Sequence, residues 1–241
     1  ECYIFHSLLS EKSALDLVHR LLMEGLIARP TTETNRRHST TPTTIAETSQ
    51  QFTKSYDDIK MNQELTCFKT YDIRGELGKN FNEEICFQIG KAFSSFFDAK
   101  KIVVGHDSRN SSPVLASSLK KGIISQGSDV LDIGLAGTEE VYWATTRYGA
   151  CGGIEVTASH NPSNYNGLKL VKSGSVPLSP IDELSALKEL VQKDSFDKRP
   201  NVGKILNYQE ESKIEYINKV IKFFDMNIRR PIKILFNSGN G

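Results

Sequence analysis

The chain has 241 residues, with 30 Lys+Arg against 29 Asp+Glu and a formal net charge of +1. So even a balance argues against nucleic-acid or membrane-surface binding driven by charge. At 38% hydrophobic residues the chain can bury a core, yet no apolar run approaches the roughly 20 residues that span a bilayer. The amino end lacks a basic start followed by an uninterrupted apolar block. The four cysteines, Cys2, Cys67, Cys86 and Cys151, show no metal-binding spacing, and scattered thiols of this kind suit a reducing compartment. A cytoplasmic protein is expected.

Residues 8–27 read as a helix, with Leu15, Val18, Leu21, Leu22 and Leu26 in an apolar stripe. From Arg29 to about Ser55 the Thr/Ser-rich text offers almost nothing to bury, and a disordered linker is expected. Residues 1–60 thus form an extension ahead of an organised domain, which the patterning places at 64–205.

Within that domain the period alternates between strand and helix. "LTCFKTYDIRG" reads as an extended segment ending in a loop. "NEEICFQIGKAFSSFF" reads as a helix capped by Asn82, with Ile85, Ile89, Phe93 and Phe96 on one face. "KIVVGHD" is a buried strand, and the helix after it has Ser112 as cap, Pro113 at its first position and Gly127 past its end. "DVLDIG" is a further strand, followed by a helix from Thr138 to a closing Gly149. "GGIEVTA" and "GLKLV" then read as two more strands. Ser179-Pro180 opens a helix through Lys193, and "EESKIEYINKVIKFF" makes another. The strand "IKILFN" is expected to begin a second α/β unit spanning 206–241, and a chain that opens on Glu1 and stops at "NSGNG" is expected to be a fragment. Helices of this length between strands predict a layered, largely parallel sheet flanked by helices. Sites on such sheets gather beyond the strand carboxyl ends, so "GHDSR", "GLAGTEE" and "TASHNP" should share one edge.

Ser159 follows a strand on that edge. A serine hydroxyl is a weak nucleophile without activation, and a phosphoserine carries about −1.5 to −2 charge near neutral pH. Either state needs positive neighbours, and the sequence offers Arg74, Arg109, His160 and Lys169. Arginine grips phosphate bidentately and stays charged, whereas a partly buried lysine can lose its proton and act as a base. His160 should not pair with the serine side chain, because neighbours in an extended loop point apart. Neither G-x-S-x-G nor G-x-x-x-x-G-K-[ST] is present. Taken singly, Ser159-His160-Asn161-Pro162 also reads as an Asx-type turn, Arg74 as a solvated charge, Arg109 as an ion-pair partner and Lys169 as a surface residue. Their joint arrangement favours phosphoryl transfer.

"TASHNP" followed by "YNGLKLV", preceded by "YDIRG", "GHDSR" and "GTEE", resembles the α-D-phosphohexomutases, with wording nearest the bacterial phosphomannomutases. The resemblance runs from about Leu65 to Gly241 and implies that family's domain I and the start of its second domain. It implies that Ser159 carries the phosphoryl group, passes it to a hexose phosphate through a bisphosphate intermediate, and gives Mg²⁺ one oxygen ligand through its phosphate. Hexose 1,6-bisphosphate is the activator it implies. Lys169 matches the general base and Arg74 the arginine beside the phosphoserine. Tyr71 matches a residue near the ligand, and His160 and Asn161 shape the loop. With Arg109, Tyr71 and Asn161 are the expected substrate-binding residues. The family's D-G-D-x-D-R metal loop and G-E-x-S sugar loop are absent from the sequence, so this chain alone is expected to be inactive. Phosphoglucomutase or phosphoglucosamine mutase is the alternative within the chemistry, and a non-catalytic phosphate-binding or interaction fragment the alternative outside it.

Overall fold

A computed structural model describes residues 65–197 and 199–223, together with 233 and 235. The helix expected at 8–27, the linker at 29–55 and the strand "IKILFN" lie outside the described residues, apart from Lys233 and Leu235 of that strand. The elements, in order, are β1 (Ile73–Glu76), α1 (Glu83–Phe96), β2 (Lys101–His106), α2 (Ser112–Ser125), β3 (Asp129–Leu135), α3 (Thr138–Arg147), β4 (Gly152–Val156) and β5 (Tyr165–Lys172). A 3₁₀ turn (Ser173–Ser175), β6 (Val176–Pro177), a π-helical turn (Pro180–Leu184), α4 (Ser185–Lys193), β7 (Ile205–Asn207) and α5 (Gln209–Ile221) follow.

One sheet joins all the strands in the order β1-β5-β4-β2-β3-β7, with β6 paired to β5. Helices cover both faces. Ile89 and Phe93 of α1, Leu115, Leu119 and Ile123 of α2 and Leu187 of α4 pack with Ile102, Val104, Ile154 and Leu168 of the sheet. On the other side Val141 and Ala144 of α3 close over Val103, Leu131 and Ile133. Residues of β2 and β3 alternate between these two clusters, so both strands are buried on both faces.

The largely parallel sheet expected from the alternation is mixed. Pairings of β2 with β3, β2 with β4 and β3 with β7 are parallel, whereas β1 with β5, β4 with β5 and β5 with β6 are antiparallel. The difference lies in β5, which returns from β4 through a loop with no crossover helix and therefore must run backwards. The sequence boundary expected near 205 falls at β7, whose residues pair with Val130, Leu131 and Asp132 of β3.

Local chemistry sets most helix ends. Asn82 caps α1 by accepting the Ile85 N–H at 2.9 Å, and Gly127 and Gly149 follow α2 and α3 at φ +83° and +57°. Three expectations need correction. Ser111, not Ser112, stands at the cap position of α2, and it makes no side-chain cap; the Ser112 hydroxyl donates instead to Asp107. Phe96 is 37% exposed rather than on the buried face, and it is the last residue of α1. The end of "LTCFKTYDIRG", read as a loop, is β1, held by β5.

Candidate functional site

Parallel pairing brings the carboxyl ends of β2, β3 and β4 to one edge, as the sequence predicts. The Asp107 N–H donates to Val156 O at 3.0 Å and the Ala136 N–H to His106 O at 3.0 Å, which ties the three following loops together. The loop after β4 carries Ser159. Its backbone stands at φ +56°, in the left-handed region that a residue with a Cβ rarely enters. Residues held this way require outside constraint.

Arg109 provides much of it. One terminal nitrogen, Nη2, donates to the carbonyls of Ser159 (2.8 Å) and Asn161 (2.6 Å), and Nη1 donates to those of Pro162 (2.8 Å) and Tyr165 (3.1 Å). Nε lies 3.2 Å from Asp107 Oδ2 as an ion pair rather than an aligned hydrogen bond. The four terminal N–H groups of the Arg109 guanidinium are thus taken up by the loop carbonyls. Expected from sequence to bind substrate, it holds the main chain of the serine loop in this structure.

Arg74 is different. It sits on β1 opposite Gly167 of β5. No side chain fits at 167, since a Cβ there would lie 2.1 Å from Ile73 O and 3.1 Å from Arg74 Cα. The close approach brings the arginine over the serine loop. Nη1 donates to Asn161 Oδ1 at 2.7 Å and Nη2 to Asp72 Oδ2 at 2.6 Å, while its buried Nε has no hydrogen-bond partner among the described residues. Arg74 therefore keeps donors for an anion, and the Asp72 carboxylate aims the fork.

The remaining candidates divide. His160 Nδ1 lies 3.5 Å from Ser159 Oγ, at the limit of hydrogen bonding. The expectation that these side chains point apart fails because the left-handed Ser159 turns the chain rather than extending it. Asn161 is joined to both arginines. Lys169 is placed by register: β5 sets it directly across from Glu155 of β4, so both point to the same face. That face also carries Arg74, since Arg74 pairs with Gly167, two positions along β5 from Lys169. Tyr71 precedes β1 and is 83% exposed, and among the described residues its side chain makes no hydrogen bond to the serine loop.

Sequence reasoning passed over Asp72, Glu155 and Asn166. Asn166 is fully buried and donates to the hydroxyls of Ser111 (2.8 Å) and Ser112 (2.9 Å), tying the end of the serine loop to the start of α2. Its place in "YNG" was the available signal. Glu155 is 1% exposed, with Oε2 unpartnered among the described residues. Burial, and then the negative Asp107, Glu140 and Glu139, push its carboxyl up to about 9. Only an acid embedded in the middle of an apolar strand pattern hinted at it. Among the described residues no three His, Cys, Asp or Glu side chains group to hold a metal ion. Octahedral Mg²⁺ needs oxygen ligands beyond the one a serine phosphate supplies, so the residues present do not by themselves make its site.

The geometry defines a class: a three-layer α/β/α domain with a serine-centred loop at the carboxyl edge of its parallel strands. The family model of phosphoglucomutase/phosphomannomutase, alpha/beta/alpha domain I, matches residues 65–198. The chain belongs to the phosphoglucomutase/phosphomannomutase family. A phosphomannomutase of Escherichia coli is 46% identical over 179 residues, which cover 74% of this chain and 39% of that protein. One from Klebsiella pneumoniae is 53% identical over 133 residues, 55% of this chain and 85% of that one. The crystal structure of a phosphoglucomutase/phosphomannomutase family protein from Burkholderia thailandensis matches with a TM-score of 0.59 and 29% identity, over 67% of this chain and 36% of that one. The chain spans about two fifths of the length of the Escherichia coli relative.

Proposed function

We propose that this chain is the serine-bearing portion of a hexose-phosphate mutase that interconverts mannose 6-phosphate and mannose 1-phosphate. The observation that carries the reading is the exposed Ser159, held at φ +56° on a loop whose main chain one arginine grips, with a second arginine keeping donors free beside it. In the proposed reaction a sugar hydroxyl attacks the Ser159 phosphoryl group, and the Oγ–P bond breaks as the sugar O–P bond forms. Lys169 accepts the hydroxyl proton. The hexose bisphosphate turns over and returns its other phosphoryl group to Ser159 Oγ. Arg74 neutralises charge on the moving phosphoryl oxygens, which a loose transition state needs more than covalent help. His160 and Asn161 shape the loop, and Tyr71 meets the sugar phosphate. The Ser159 phosphate would give a Mg²⁺ ion one oxygen ligand, and such an ion would add charge neutralisation there. We place residues 64–205 as the serine domain and residues up to 241 as the approach to a second one, in a cytoplasmic enzyme activated by hexose 1,6-bisphosphate.

Relatives named phosphomannomutase favour mannose over glucose or glucosamine. The test is Ser159→Ala in a protein that extends through the length of those relatives. Turnover of mannose 1-phosphate should fall at least 1,000-fold while the fold is retained. Full activity in the variant would sink the reading.

A further inference from the structure

We propose that Asp107 is a positioning residue for the serine loop, acting through the Thr157 hydroxyl. Asp107 lies just past β2, and its carboxylate is surrounded by donors. Oδ1 accepts the Ser112 hydroxyl at 2.5 Å and the Arg109 N–H at 3.1 Å. Oδ2 accepts the Thr157 hydroxyl at 2.7 Å and pairs with Arg109 Nε at 3.2 Å. A carboxylate is an acceptor only, so it dictates which way the threonine hydroxyl points. With its proton committed to Asp107, Thr157 Oγ1 is left as an acceptor, and it takes the Ser159 N–H at 2.8 Å. That hydrogen bond joins residues two apart and closes a tight turn, which is how the chain reaches the left-handed conformation at Ser159 without glycine.

The two devices on this loop are distinct. Arg109 holds carbonyls from Ser159 to Tyr165 and so fixes where the loop lies. The Asp107–Thr157 relay holds one N–H and so fixes the direction of the Ser159 side chain. Asp107 is itself fixed from the far side, because the Ser112 hydroxyl that donates to it accepts from buried Asn166. Asn166 pairs with Gly75 in the ladder between β5 and β1. The relay therefore runs from a main-chain ladder to a single exposed hydroxyl, and a charged group at its centre makes its bonds stronger than neutral ones.

Only the functional half of this inference rests on reading Ser159 as a phosphoryl carrier, and the experiment separates the halves. Hydrogen exchange of the Ser159 amide, read by NMR on the 241-residue chain, reports the relay with no substrate present. Thr157→Val should speed that exchange about tenfold or more, as loss of one hydrogen bond allows, with the amides of β2 and β4 unchanged. Thr157→Ser should restore the wild-type rate. Asp107→Ala should reproduce Thr157→Val. Unchanged Ser159 exchange in Thr157→Val, or no rescue by serine, overturns the relay. In parallel, each substitution is carried in a protein that extends through the length of the relatives, incubated with glucose 1,6-bisphosphate and Mg²⁺, and phosphate on Ser159 followed by mass. Loading about tenfold slower in Thr157→Val and near normal in Thr157→Ser is the expected functional result. Equal loading in all three chains overturns the positioning role, whereas no loading in any chain, with the exchange pattern as expected, counts against the phosphoryl-carrier reading alone.

Discussion

At Glu155 a single side chain sets a pH dependence for the whole domain. Its carboxyl is pushed up to about 9, by burial before anything else, from an ordinary 4.5. Between those values the folded chain holds a proton that the unfolded chain has released. Stability attributable to this residue is therefore fully present below about 4.5 and is lost as pH rises toward 9, by at most about 1.4 kcal/mol per pH unit. Glu155→Gln removes the dependence while keeping shape and polarity. Urea midpoints measured from pH 5 to pH 9 should fall less steeply in the variant, which should be the more stable protein at pH 8; parallel curves would show that Glu155 ionises normally. At this scale the motifs flagged Arg74 and Arg109 alike, and nothing in "YDIRG" or "GHDSR" told which had donors to spare. The distinction depends on which carbonyls a folded loop turns toward each guanidinium, and that is a matter of tertiary geometry.

Among the elements, α1 and α2 approach each other backbone to backbone. A Cβ at Gly122 would lie 2.0 Å from Phe87 O, and one at Gly90 would lie 2.3 Å from Leu119 O. The two backbones touch through missing side chains. Helix propensity alone would have Gly122→Ala stabilise the protein by about 1 kcal/mol. The contact predicts the opposite sign, a loss of about 1–3 kcal/mol as the helices are forced apart. Thermal unfolding decides between them, and a raised midpoint would mean that the helices yield. Elements built on local signals were legible: Asn82 caps α1, Gly127 and Gly149 close α2 and α3, and the runs "KIVVGH" and "DVLDIGL" are β2 and β3. The direction of β5 was not, because alternation of strand and helix says nothing about a strand pair joined by a loop alone. β1 was missed for a related reason, since "IRGE" becomes a strand only by lying against β5. The edge on which the site gathers was readable because it follows from the parallel half of the sheet alone.

For the whole molecule the governing fact is extent. Residues 65–198 match domain I of the family, and the chain covers 39% of the Escherichia coli phosphomannomutase. The sequence carries the serine loop and lacks the D-G-D-x-D-R loop. A turnover assay on the 241-residue chain with mannose 1-phosphate and Mg²⁺ should therefore show no mutase activity above background; a rate near that of a complete mutase would overturn the assignment of roles. Among the described residues no helix is long and apolar enough to cross a membrane. The family could be read from the sequence because its motifs sit in loops whose spelling is constrained by chemistry. The 1–60 extension has no such motif and offered only periodicity and composition.

The backward return of β5 also has a kinetic meaning. Because β4, the serine loop and β5 form one hairpin, the spacing of Ser159 from Lys169 is set by a single local strand pairing. Arg74 must reach Asn161 across 87 positions of chain and Arg109 across 52. Short loops close early and distant contacts late, since the entropy lost on closure grows with the length enclosed. Ser159 and Lys169 are therefore expected to come together early in folding, and Arg74 and Arg109 to join the loop only once the surrounding domain has closed.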